Sequence, residues 1–221
     1  MTAQRHPVWD LPTRLFHWAL VVLILTSWAS HELEVSWAHR WSGYAVLTLI
    51  LFRIVWGFVG SPTARFSQFI RGPGAVIAYL QGRHPESAGH NPLGALSVVA
   101  LLLLVGGQAV SGLFTTDEVL FSGPFLPAVS EATAGRIGWW HETGFNVLLG
   151  LIALHISALL YYRFAKGRNL IKAMISGRDE RFPGPGPTRP LWLALIVLII
   201  CAGAVTVLIQ MAPEPMSYDY Y

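Results

Sequence analysis

The chain has 221 residues, 53% of them hydrophobic and only 12% charged, with a formal net charge of +3. A soluble domain carries roughly 25% charged residues, so the composition argues against a disordered chain and against an ordinary soluble domain. The single cysteine, Cys201, excludes a disulfide framework, a cysteine-based zinc site and C-x-x-C-H attachment of a c-type haem.

Five long apolar stretches follow in chain order: Leu15 to Ser30, Ser36 to Val59, Leu93 to Phe114, Trp139 to Phe164 and Leu191 to Met211. A helix needs about 20 mostly apolar residues to cross a bilayer. Strand-like alternation is absent, so the expected fold is an all-α integral membrane protein. The first stretch follows Arg5 and Arg14, as the core of a signal peptide does. Trp28, His31 and Glu32 stand where a small-residue cleavage site belongs, so it is read as a retained helix. Between the fourth and fifth stretches, Pro183-Gly184-Pro185-Gly186-Pro187-Thr188-Arg189-Pro190 cannot continue a helix. The expected organisation is a four-helix transmembrane bundle over 1–180, a linker over 181–190, and a fifth C-terminal transmembrane helix with its tail over 191–221.

With a cytoplasmic N-terminus, thirteen of the fifteen Lys and Arg residues fall on the cytoplasmic side, leaving Arg40 and Arg136 outside. Eight of the twelve acids fall on the opposite side. That asymmetry predicts the N-terminus inside and, after five crossings, the C-terminus outside. The basic residues are sorted by membrane side and form no single patch, which argues against nucleic acid as a partner.

Ionisable residues at membrane depth point to function. Of eight histidines, His6, His84 and His90 fall in cytoplasmic segments and are read as solvated. His141 and His155 are fourteen residues apart, about 40° short of four helical turns and roughly 21 Å along the axis. They share one face of the fourth helix, one near each membrane surface. His17, early in the first helix, matches the depth of His155. His39, at the start of the second, matches His141. Zinc wants four ligands, whereas haem iron carries four ring nitrogens and needs two axial ones. Two facing pairs therefore point to two noncovalent b-type haems, inner between His17 and His155, outer between His39 and His141. The competing reading is four histidines hydrogen-bonded across helices. His31 shares a face with His17 and competes with His39, but beside Glu32 and Glu34 it is read as solvated.

These residues carry a resemblance. Trp9-Asp10-Leu11-Pro12-Thr13-Arg14-Leu15-Phe16-His17-Trp18, then His39-Arg40-Trp41-Ser42-Gly43 with Arg53, then Trp140-His141-Glu142-Thr143 running on to Leu154-His155, resemble the bacterial di-haem cytochrome b561 family. That group includes the b-type subunits of nickel–iron hydrogenases. The resemblance covers roughly residues 7 to 178. It implies axial roles for His17, His39, His141 and His155, and a multi-pass protein of the bacterial inner membrane; the charge asymmetry above is what places the C-terminus on the periplasmic side. It implies electron transfer between membrane quinol or quinone and a partner redox protein such as a periplasmic cytochrome c. It says nothing firm about the fifth helix.

Three alternatives stay open: the membrane-anchor subunit of a hydrogenase-like oxidoreductase, superoxide-to-quinone electron transfer, and a haem-free membrane scaffold; a second copy of the chain is a further candidate partner. Gly43 makes room for a porphyrin or for close helix packing. Arg14 and Arg53 inside, and Arg40 and Arg136 outside, are candidate propionate partners, with charge anchoring as the alternative for the inner pair. The tryptophans near the span ends, Trp9 and Trp56 among them, read as an interfacial belt. Cys201 reads as an inert buried thiol. Asp117, Glu118 and Glu131 form an acidic outer surface suited to a basic cytochrome.

Overall fold

In hydrocarbon no water satisfies backbone N–H and C=O groups, so each apolar stretch must close its hydrogen bonds within itself. The computed structural model describes residues 7–83, 88–116, 122–179 and 181–213. Its helices are α1 (Leu11–Glu32), α2 (Ser36–Val59), α3 (Phe66–Phe69), α4 (Pro73–Leu80), α5 (Pro92–Ser111), α6 (Glu131–Phe164), α7 (Leu170–Ser176) and α8 (Leu191–Gln210). Five of them, α1, α2, α5, α6 and α8, are long and apolar enough to cross a membrane. Among the described residues the only β feature is an isolated bridge between Thr116 and Ser122. The all-α membrane class is as the sequence implies.

Polar caps move two helix starts earlier than hydropathy places them. Asp10 accepts a 2.9 Å hydrogen bond from the Thr13 amide and starts α1 at Leu11, so His17 falls in the second turn. Ser130 caps α6 through the Thr133 amide, which starts that helix at Glu131. Its 34 residues span about 51 Å at 1.5 Å each. That exceeds the ~30 Å hydrocarbon layer. The segment before Trp139 is therefore helical from Glu131 onward. It is too polar to register as a span, yet it is capped and continuous with one.

The bundle is built around α2, which packs along α1, α5 and α8, while α6 packs chiefly along α5. One core cluster joins Phe16, Phe52 and Trp56 to Ala194, Val197 and Cys201 of α8. A second joins Val46 and Ile50 to Val105 and Leu148 at mid-bundle. The fifth span thus lies against α2, and the small Cys201 thiol is buried in the contact. The linker is tied down as well, since the Arg189 amide donates to Ser61 Oγ at 2.9 Å.

Arg14, Arg53, Arg163 and Arg168 mark one end of the bundle, here the basic end; Glu32, Glu34, Glu131 and Glu142 mark the acidic end. At the basic end, the Val8 and Trp9 amides donate to the Gly177 carbonyl at 2.8 and 3.2 Å. Gly177 holds φ +78°, and a Cβ there would stand 2.8 Å from the Trp9 carbonyl oxygen, so glycine is required twice over. Arg168 and Asp179 form a 2.7 Å ion pair, with side chains only 9% and 5% exposed. Two tryptophans correct the interfacial reading. Trp56 is wholly buried, its Nε1 donating to Asp10 Oδ2 at 3.0 Å, and Trp9 is 7% exposed. Trp18, Trp37, Trp41, Trp139, Trp140 and Trp192 remain exposed near span ends.

Candidate functional site

At the acidic end, α1, α2, α5 and α6 enclose a cavity of about 630 Å³. That lies within the ~300–1,000 Å³ typical of ligand sites. His39 and His141 face one another across it, ring centres 6.4 Å apart and planes crossing at 79°. Two imidazoles that bind one metal from opposite sides stand close to that separation. Each nitrogen lies ~2.0–2.1 Å from the metal and ~1.1 Å from its own ring centre, giving about 6.3 Å in all.

Both rings are oriented from behind. His39 Nδ1 lies 2.9 Å from the Ser27 carbonyl oxygen, which can only accept, so Nδ1 carries the proton and the lone pair sits on Nε2. His141 Nδ1 lies 2.8 Å from Ser111 Oγ, and that hydroxyl donates to the Gln108 carbonyl at 3.1 Å. The Ser111 oxygen is thus turned to accept from His141, with the same consequence for Nε2. Partners of this kind fix the tautomer and direction of metal-binding histidines.

Glycines shape the walls. A Cβ on Gly112 would stand 3.2 Å from the His141 ring, so its absence lets the end of α5 close on that ring. Gly43, one turn after His39 and in the cavity wall, has open space where a Cβ would stand. Arg40 also lines the cavity, whereas Arg136 is bonded to its own helix through the Ala132 carbonyl. His31 is exposed, yet it lines the same cavity with its ring 5.8 Å from His39, so it belongs to the site and not to a separate loop.

At the basic end, His17 and His155 stand within electrostatic reach of one another, and His17 Nδ1 is buried without a hydrogen-bond partner. Leu148, midway between His141 and His155 on α6, is buried in the apolar layer that separates the two sites. Among the described residues no three His, Cys, Asp or Glu side chains converge as a bare-ion site requires. Paired imidazoles suit a group that brings its own equatorial ligands.

His90 overturns its solvated reading. It is partly buried, its Nδ1 lies out of solvent without a partner, and its ring packs 4.6 Å from both Trp9 and Phe69. Burial first, then the fields of Arg53 and His155, hold its imidazole pKa down to about 3. The sequence did carry one signal. Asn91 caps α5 by accepting from the Gly94 amide, which fixes His90 at a helix mouth. His6, His84, Asp117 and Glu118 lie outside the described residues. Glu131 is exposed.

Five apolar helices that bring histidines together between them are the build of a multi-pass membrane cytochrome. The chain belongs to the prokaryotic cytochrome b561 family, which it matches over residues 8–177, from the start of α1 through α7. Membership implies a b-type haem and haem-mediated electron transfer across the membrane. The chain is also similar to a protein of Bradyrhizobium diazoefficiens named as a probable Ni/Fe-hydrogenase B-type cytochrome subunit. The identity is 23% over 213 residues, covering 78% of this chain and 85% of that protein. No solved structure matches the chain.

Proposed function

We propose that the chain carries electrons between two bis-histidine b-type haems, one held by His39 and His141 and the other by His17 and His155. Membrane quinol or quinone is the small-molecule electron partner, and a second redox protein completes the transfer. The basic end faces the cytoplasm and the acidic end the periplasm, following the Lys and Arg asymmetry. The observation that carries this reading is the His39–His141 pair, 6.4 Å apart in a cavity and hydrogen-bonded from behind.

Haem iron supplies a one-electron couple that tunes with ligand, charge and burial. The protein's part would be to offer a pair of imidazoles at each depth, His39 with His141 and His17 with His155, to a haem that would supply the one-electron couple. Ser27 and Ser111 fix the acidic-end rings, and Val46, Ile50, Val105 and Leu148 keep water out of the layer between the sites.

The test is a reduced-minus-oxidised spectrum with haem stoichiometry on detergent-purified protein. Two b-type haems per chain are expected, and one in His155→Ala. Full retention of both haems in that variant would sink the assignment. The hydrogenase-subunit relative supports a second reading, in which the chain anchors a catalytic subunit to the membrane. Co-purification of a large redox subunit with the native protein supports that reading; its absence favours a free-standing carrier.

A further inference from the structure

The buried side-chain nitrogen and oxygen atoms left without a hydrogen-bond partner, among the described residues, are Thr13 Oγ1, Arg14 Nε, His17 Nδ1, Arg53 Nη1 and His90 Nδ1. All five lie at the basic end. A buried polar group without a partner forfeits its hydration with nothing in return, at greater cost if charged, so native proteins rarely leave several together. Arg53 is the most exacting of the set. It is 3% exposed at a depth where α2 is otherwise apolar.

The surroundings explain its placement but leave Nη1 unsatisfied. Its guanidinium lies over the Phe66 ring at 4.9 Å, in a space kept open by Gly57, where a Cβ would collide with that ring at 2.1 Å. Phe66 packs on Phe69, and Phe69 packs on His90. Arg53 and His155 both stand within electrostatic reach of His90, so the three groups share one neighbourhood at this end of the bundle.

The chemistry of the unsatisfied set is that of an anion site. Two guanidinium N–H groups are fixed donors, and the imidazole and hydroxyl groups can donate as well. The near charges are Arg14 and Arg53 against one carboxylate, Asp10, whose oxygens already accept from the Thr13 amide and Trp56 Nε1. Arg65 is turned to the Gly60 carbonyl and Arg71 to the Gln68 carbonyl. Arg168 is paired with Asp179. One further carboxylate would balance the cluster.

The geometry points to a carboxylate clamp in which Arg53 Nη1 and His90 Nδ1 grip a propionate of the haem held by His17 and His155. This rests on the bis-histidine reading above. His90 acts as a neutral donor and Arg53 as the charge. Together they fix the haem's orientation and favour its reduced form, because a nearby cation opposes the extra positive charge of the oxidised iron.

The experiment is a redox titration of both haems in the purified full-length holoprotein. Arg53→Gln is expected to shift one haem's couple toward the oxidised form at least tenfold, about 59 mV for one electron, and to leave the other unmoved. Arg53→Lys keeps the charge and should retain most of the wild-type potential, which also checks that the fold tolerates substitution. His90→Ala should shift the same haem by a smaller factor, and His90→Asn, which keeps a donor, should restore part of it. The shifted haem must be the one lost in His155→Ala. If His155→Ala loses a haem but none of the four variants moves a potential, the clamp is wrong and the ligand assignment stands. If His155→Ala loses none, the ligand assignment itself fails. Inorganic phosphate added to the wild type separates the anion's source. No change is expected for a propionate, and a phosphate-dependent potential would mean a free anion occupies the clamp, overturning the propionate assignment.

Discussion

The two ends of the bundle solve the same problem in different ways. At the acidic end the rings are held by the chain itself: His39 on the Ser27 carbonyl, His141 on Ser111, both lining an open cavity. At the basic end the polar groups are packed under an apolar cap of Val8, Trp9 and Phe69, and five of their atoms have no partner among the described residues. One site is preorganised by backbone and hydroxyl acceptors. The other is donor-rich and, on the reading proposed above, would be completed by what it binds. The contrast predicts that the acidic-end site is sensitive to shape, and the basic-end site to charge and pH.

The largest effect expected from breaking the comparison is loss of a single haem. His141→Ala should abolish the acidic-end haem and spare the other, read as a fall from two haems to one per chain. Next comes shape. A Cβ at Gly43 meets no protein atom within 4 Å, so Gly43→Leu directs an apolar side chain from the cavity wall. Haem occupancy at the acidic end should fall several-fold while the helical circular dichroism is unchanged. Ser111→Ala removes the acceptor behind His141. Outer partners of this kind are worth roughly 10–100-fold in affinity, so that haem should dissociate faster by about tenfold under dilution or competition with apomyoglobin.

The smallest effect concerns pH and belongs to the basic end. His90 has its folded pKa depressed to about 3 from an ordinary 6.5, so the folded chain binds fewer protons than the unfolded one between these values. Its contribution to stability is full above pH 6.5 and is lost progressively as pH falls toward 3. The thermal midpoint in detergent should therefore drop between pH 7 and pH 5, and drop less in His90→Phe, which keeps a packed ring but cannot charge. Equal slopes for the two proteins would assign the acid sensitivity to other groups.

Much of the candidate site is legible in the sequence because helical periodicity and membrane depth are one-dimensional properties. The fourteen-residue spacing places His141 and His155 on one face whatever the neighbours do. Depth alone matches His39 to His141, and the structure sets those ring centres 6.4 Å apart with their planes nearly perpendicular. Other features depend on contacts far apart in the chain. Trp56 reads like any tryptophan near a span end, yet it is buried because Asp10, 46 residues earlier, takes its N–H. His31 lines the cavity because α1 and α2 pack so that its ring stands 5.8 Å from that of His39. His90 is drawn partly out of solvent because its ring packs against Trp9 and Phe69.

By itself, then, the sequence determined that this is an all-α membrane protein, where it crosses the bilayer, and which histidines share a face and a depth. Apolar length and 3.6-residue periodicity follow from the solvent and the backbone, and neither needs a neighbour. The tertiary structure alone decided that α6 runs on from Glu131, that α8 lies against α2, and that the unpartnered donors gather around Arg53 and His90. Those outcomes turn on caps and on packing between distant segments, where the energy depends on what meets what.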